Sequence, residues 1–200
     1  MITSYQTNVR AQYEALGQFV ESFEKMVDDV REICIQRIGS GGDERLAEIA
    51  FHHQAMTAKP LFDIMRAILA HAVNHHADRA LFRSVLGRIE REYSHLYNKR
   101  NELLHGTWFI GYSSQKDPDA AEFYVKKLKT SADGLVGVKD LPKNAHELTD
   151  LANACSEVRI WLGEIDRCIQ DNLKLTDVFN QRNDEWVLAF GDNERTLPKR

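Results

Sequence analysis

Residues 79–106 read RALFRSVLGRIEREYSHLYNKRNELLHG, and the periodicity of this stretch decides the fold class. At about 100° per residue, with Arg100 as zero, Phe82, Ile89, Tyr93, Leu96 and Leu104 fall within about 40° of one line. Val85, Tyr97 and Leu103 fall within about 60° of it. This predicts one long helix from about Arg79 to His105, with Asp78 as its N-terminal cap and Gly106 closing it. Arg100 lies at the centre of the apolar stripe, while Asn98, Lys99 and Glu102 lie off it. A guanidinium cannot shed its charge by losing a proton, so among apolar neighbours it needs a partner. That partner is either a carboxylate on another helix, such as Asp63 or Glu164, or an anion at a cleft or subunit interface. Buried arginines are more often of the first kind.

Working outward, the same reading organises the rest of the chain. Leu16, Phe19, Val20, Phe23, Val27, Val30, Ile33, Cys34 and Ile38 recur at three- and four-residue steps, which predicts a helix over roughly Gln6 to Ile38. Gly39-Ser40-Gly41-Gly42 has the composition of a phosphate loop but lacks its Gly-Lys-Ser/Thr, and reads as a flexible linker. Asp43 is placed to cap the next element. Two helices, Glu44 to Met56 and Leu61 to Ala77, are separated near Pro60, which suits a first helical turn. After Gly106 the pattern changes to aromatic and β-branched residues. Thr107–Tyr112 and Glu122–Thr130, with a turn-rich loop between them, predict a β-hairpin over about residues 107–130. Asp133–Gly137 reads as a turn. Helix resumes from about Ala145 to Leu173. The expected organisation is a mainly α domain over residues 1–175, its small hairpin inserted before the last long helix. A tail over residues 176–200 docks in part through Trp186, Val187, Leu188 and Phe190, and frays from Asn193 to Arg200.

Composition narrows the function classes. An apolar fraction of 43% supports a core without help from metal or disulfide. The net charge of −4 argues against a protein that coats nucleic acid over its whole surface, though not against a local basic cleft. Cys34, Cys155 and Cys168 are odd in number and widely spaced, and read as ordinary thiols of a reducing, cytoplasmic compartment. No apolar leader and no membrane-spanning run is expected. His71 and His75 have a metal-compatible spacing, but no third ligand accompanies them, so no metal and no other cofactor is expected. His52-His53 is equally nonspecific.

His105 follows Arg100 by five residues in the last turn, where the helix C-terminus favours the imidazolium. An arginine to hold a phosphate and a histidine to move a proton are the minimum equipment for metal-free phosphodiester cleavage. The stretch Arg100-Asn101-Glu102-Leu103-Leu104-His105 resembles the Arg-Asn-x-x-x-His form of the HEPN superfamily motif, which lies late in a long helix of an α-helical bundle. Gly106 and Trp108 add to the resemblance. It covers about residues 5–175 in architecture and six to nine residues in motif.

The resemblance implies a HEPN-like up-and-down helical bundle. It also implies a homodimer that cleaves RNA without metal and leaves 2′,3′-cyclic phosphate and 5′-hydroxyl ends. Such members often act as toxins or abortive-infection effectors against phage. Carried over, Arg100 binds the scissile phosphate, His105 is the general acid or base, and Asn101 orients them. A cognate antitoxin or regulatory protein is a further implied partner. One toxin subgroup has a modified tyrosine two positions after the histidine; here that position is Thr107, so that regulation is not expected. The alternative is a non-catalytic HEPN-like interaction module that binds RNA, a nucleotide or a protein. Residues 79–105 are rich in base, with Arg79, Arg83, Arg88, Arg91, Lys99 and Arg100 against Glu90, Glu92 and Glu102. Lys99, Arg91, Lys126 and Lys127 are the expected RNA contacts; a solvated strand face is the competing reading of the two hairpin lysines.

Overall fold

The computed structural model describes the backbone of residues 4–105, 107–114, 117–130, 136–139, 144–182, 185–190 and 193–196, and side chains within 6–74, 76–105, 144–180 and 186–188. The chain is mainly helical. In order come α1 (Ser4–Gly39), α2 (Glu44–Phe51), α3 (Ala58–Ala72), a 3₁₀ turn (Val73–His75) and α4 (Arg79–Leu104). Then follow β1 (Thr107–Ser114), β2 (Asp117–Thr130), β3 (Val136–Lys139), α5 (Ala145–Gln170), a second 3₁₀ turn (Leu175–Asp177), β4 (Phe179–Arg182), β5 (Glu185–Phe190) and β6 (Asn193–Thr196). Both sheets are antiparallel meanders, β1-β2-β3 and β4-β5-β6.

The chain divides into two compact units, residues 1–23 with 96–153 and residues 24–95 with 154–200. In the second, Phe62 stacks on Tyr93 at 4.2 Å between ring centroids, and Trp161 meets Phe179 edge-on at 5.3 Å. All four rings are essentially buried. Around them α1 and α5 are tied by charge. Arg37 Nε donates to Asp166 Oδ1 at 2.7 Å and its Nη2 to the Asp166 carbonyl at 2.7 Å. Arg159 Nε donates to Asp29 Oδ2 at 2.7 Å. In the first unit, Phe19 and Phe23 form an edge-on pair, and Leu96, Leu103, Leu148 and Leu151 are buried.

The element boundaries correct several sequence expectations. Gly39 to Gly42 is a hydrogen-bonded turn rather than a linker: Gly42 N–H donates to the Gly39 carbonyl at 2.9 Å. Both ends of the turn require glycine. A Cβ on Gly39 would meet Glu44 Cα at 2.9 Å, and Gly42 has φ of +106°. Asp43 holds the expected N-cap position of α2 but makes no side-chain cap bond, and Asp78 Oδ2 accepts the Leu175 N–H at 2.9 Å. The working cap is Asn144, whose Oδ1 accepts the Glu147 N–H at 2.9 Å while its Nδ2 donates to Glu147 Oε1 at 3.3 Å. α5 stops at Gln170, short of Leu173. Asn172 turns left-handed at φ 51°, and the Leu173 N–H donates back to the Cys168 carbonyl at 2.9 Å, a Schellman closure.

The predicted hairpin is present and β3 extends it; Val136 and Gly137, expected in a turn, belong to that strand, and residues 133–135 lie outside the described residues. The tail is a second small sheet in which Asn193–Thr196 pairs with β5 rather than fraying. Val187 and Leu188 are buried, and Trp186 Nε1 donates to Ser84 Oγ at 3.1 Å. No helix among the described residues is long and apolar enough to cross a membrane.

Candidate functional site

The end of α4 is where chemistry-bearing side chains gather. Helical spacing keeps Leu96 and Leu103 buried, and they hold this part of α4 in the core of its unit. Arg100, on the same stripe, is half-buried. Its guanidinium carbon lies 5.7 Å above the centroid of the buried Phe23 ring, and Nη1 donates to Asn101 Oδ1 at 3.3 Å. A guanidinium over an aromatic face is attracted by the ring's negative face. The two carboxylates that sequence reasoning offered to Arg100 are engaged elsewhere. Asp63 pairs with Lys59 at 2.8 Å, and Glu164 with Arg167 at 2.6 Å.

His105 is exposed, one residue past the helix, and its backbone N–H donates to the Asn101 carbonyl at 3.1 Å. The last helical bond therefore links the residue beside Arg100 to His105. Lys99 is half-buried and stands 3.8 Å from Glu102, whose side chain is only 14% exposed. The partly buried position of Glu102 departs from the expectation that it faces solvent. Leu104, expected on the buried stripe, is the last residue of α4 and is 40% exposed.

The expected RNA contacts separate. Arg91 is exposed and precedes Arg100 by about two and a half helical turns. On the hairpin, the β1–β2 register pairs Lys126 with Thr107, two residues after His105. Strand pairing thus carries Lys126 to the start of β1, where α4 has just ended. Lys127 pairs instead with Lys139 of β3. The side chains of both lysines lie outside the described residues.

Sequence reasoning missed two contributors. Phe23 was visible only as one more apolar residue of α1, since nothing local marks a ring that will lie under a cation. The pairing of Lys126 with Thr107 depends on register, which a turn-rich loop leaves undetermined. Among the described residues, no group of three or more His, Cys, Asp or Glu side chains could hold a metal ion. The three cysteines are buried and free, and burial pushes the Cys34 and Cys155 thiols up to about 12. Such thiols are poor nucleophiles at neutral pH.

No protein-family model, curated protein or solved structure matches the chain. The likeness to the HEPN superfamily therefore rests on the motif of Arg100, Asn101 and His105 and on its place at the end of a long helix.

Proposed function

We propose that this chain is a HEPN-type, metal-independent endoribonuclease of the cytoplasm, working as a homodimer in a toxin or phage-defence role. The observation that carries the reading is the end of α4. There a half-buried arginine sits over an aromatic ring beside Asn101, and an exposed histidine follows at the helix terminus. In the proposed reaction Arg100 binds the scissile phosphate and offsets the charge that develops on its oxygens. His105 takes the proton from the ribose 2′-hydroxyl, or delivers one to the 5′-oxygen that leaves. The 2′-oxygen bonds to phosphorus, the P–O5′ bond breaks, and the products are a 2′,3′-cyclic phosphate and a 5′-hydroxyl. Asn101, bonded to Arg100, orients the guanidinium. Lys126, held beside the start of β1 by strand register, adds positive charge for the RNA backbone. A twofold pairing of two α4 ends would bring two such sets to one cleft.

The test is incubation of the purified protein with RNA, with and without EDTA, and analysis of the ends produced. Cleavage that persists in EDTA, leaves cyclic phosphate and is lost in Arg100→Ala supports the proposal. Intact RNA, or cleavage that requires a divalent ion, refutes it.

A further inference from the structure

Away from the end of α4, helices α3 and α4 enclose a cleft of about 370 Å³. Its walls carry Arg66, Ala67 and Ala70 from α3 and Arg83, Gly87 and Glu90 from α4. The volume falls in the range of small-molecule sites. It exists because the facing positions are small: Ala67, Ala70 and Gly87 leave open the space that larger side chains would fill. A Cβ added at Gly87 would meet nothing within 4 Å.

The charge in the cleft is unbalanced. Arg66 Nη1 pairs with Glu90 Oε2 at 3.0 Å, with the two side chains 49% and 30% exposed. Arg83 is exposed and has no ion-pair partner among the described residues. Two guanidiniums thus face one carboxylate. The Arg66–Glu90 pair is solvent-reached, so its net worth is small and Arg66 can turn from Glu90 to a better acceptor at little cost. A guanidinium fork bonds phosphate oxygens in pairs, and two forks together match a dianion. The space beyond a single phosphate is lined by small and apolar groups, Leu86 included, which suits an uncharged body attached to that phosphate.

We infer that the α3–α4 cleft binds a small phosphomonoester of about mononucleotide size, with Arg83 as the standing anchor and Arg66 recruited from Glu90. The inference does not rest on the nuclease reading, since none of these residues belongs to the Arg100 cluster. It makes two substitutions act in opposite directions. Arg83→Gln removes the anchor and weakens binding at least about tenfold, the worth of one charge-assisted hydrogen bond. Glu90→Gln releases Arg66 and removes a repelling charge, and tightens binding by about threefold or more.

The experiment is calorimetric titration of the full chain at low salt with adenosine 5′-monophosphate and, separately, with inorganic phosphate. Arg45→Gln, exposed on α2, is the control for general surface charge. The expected result is binding of the mononucleotide, weaker binding of phosphate alone, loss in Arg83→Gln, gain in Glu90→Gln and no change in the control. All these positions are exposed or half-buried, and matching far-UV circular dichroism establishes that each variant folds. No binding of either probe up to concentrations on the order of 10 mM overturns the inference. So does binding that Arg83→Gln and Glu90→Gln leave unchanged, or that Arg45→Gln weakens equally.

Discussion

The two parts of α4 use the same residue types to different ends. Over residues 79–95, polar groups bond across to other elements. Ser84 accepts from Trp186 at 3.1 Å, Glu90 meets Arg66 at 3.0 Å, and the Tyr93 hydroxyl donates to the Ala58 carbonyl at 2.9 Å. Just before the helix, Asp78 holds Leu175. Beneath them Phe82, Val85, Ile89 and Tyr93 are buried. Over residues 96–105, the Arg100–Asn101 and Lys99–Glu102 contacts join neighbours within the helix at 3.3 and 3.8 Å, and the series ends in an exposed histidine. Short bonds between elements lock a segment into the fold, whereas an exposed histidine at a helix end is open to a ligand. The difference separates where α4 draws its stability from where it presents chemistry.

The contrast breaks first if the early part is not the anchor. Phe82 is 2% exposed, and Phe82→Ala removes a buried ring and leaves a cavity, an expected loss of about 3–5 kcal/mol. Urea unfolding measures it, and a loss below about 1 kcal/mol would contradict the assignment of this region to the core. At the other end the large effect should be on chemistry. Under the proposed mechanism Arg100→Ala lowers RNA cleavage by about 10²–10³-fold, the usual cost of losing one preorganised charge-stabilising donor. His105→Ala is equally inactive but unfolds within about 1 kcal/mol of the parent, since its side chain is exposed. A fully active His105→Ala protein would remove the histidine from the reaction.

The thiols sharpen the comparison on the side of the core. Cys34, beside α3, and Cys155 are both raised from 9.0 to about 12, chiefly because burial disfavours the thiolate. As pH rises, the unfolded chain loses these protons first, so the folded state binds more protons and stability falls with pH. The contribution is intact below about 9 and declines between about 9 and 12. Unfolding midpoints across that range check it, beside Cys34→Ala and Cys155→Ala variants whose decline should be shallower. Equal slopes in parent and variants would show that the thiols do not titrate through unfolding.

Much of this was legible in the sequence, for identifiable reasons. Long amphipathic helices carry their register in many residues, so α1, α4 and the start of α5 come out within a few residues of their observed ends. Local polar chemistry was harder to assign. Asp78 has the composition of a cap but serves a distant backbone N–H, and only the fold decides between the two uses. Asn144 with Glu147 has the spacing of a capping box, with Asn in place of Ser or Thr. Glu92, one of the charges counted over residues 79–105, is 2% exposed, with Arg88 one turn back at 3.4 Å. Edge strands such as β3 and β6 pair through backbone, and polar or glycine-containing strands of four residues leave little pattern to read. At the candidate site the motif residues were legible, whereas Phe23 and the Thr107–Lys126 register depend on tertiary placement.

The smallest effect is expected at Leu104, and it separates the two regions most finely. On the helical wheel Leu104 lies about 40° to one side of Arg100 and the buried Leu96 about 40° to the other, and spacing alone makes Leu104 a core residue. The helix ends at this residue, and its side chain stays 40% exposed. Area removed from water sets the hydrophobic contribution, so a partly exposed leucine contributes only a fraction of what Phe82 does. Leu104→Ala should therefore destabilise the isolated chain by about 1 kcal/mol or less. The proposed homodimer adds a condition. If two α4 ends meet at a twofold axis, the exposed part of Leu104 is covered in the dimer, and the substitution weakens association more than it weakens folding. Urea unfolding at low and high protein concentration, with light scattering on the same samples, distinguishes the two contributions. A small, concentration-independent change with an intact dimer would place Leu104 outside the subunit contact. A loss above about 2 kcal/mol in a monomeric sample would mean that the end of α4 is as firmly packed as its beginning, and the contrast between them would fail.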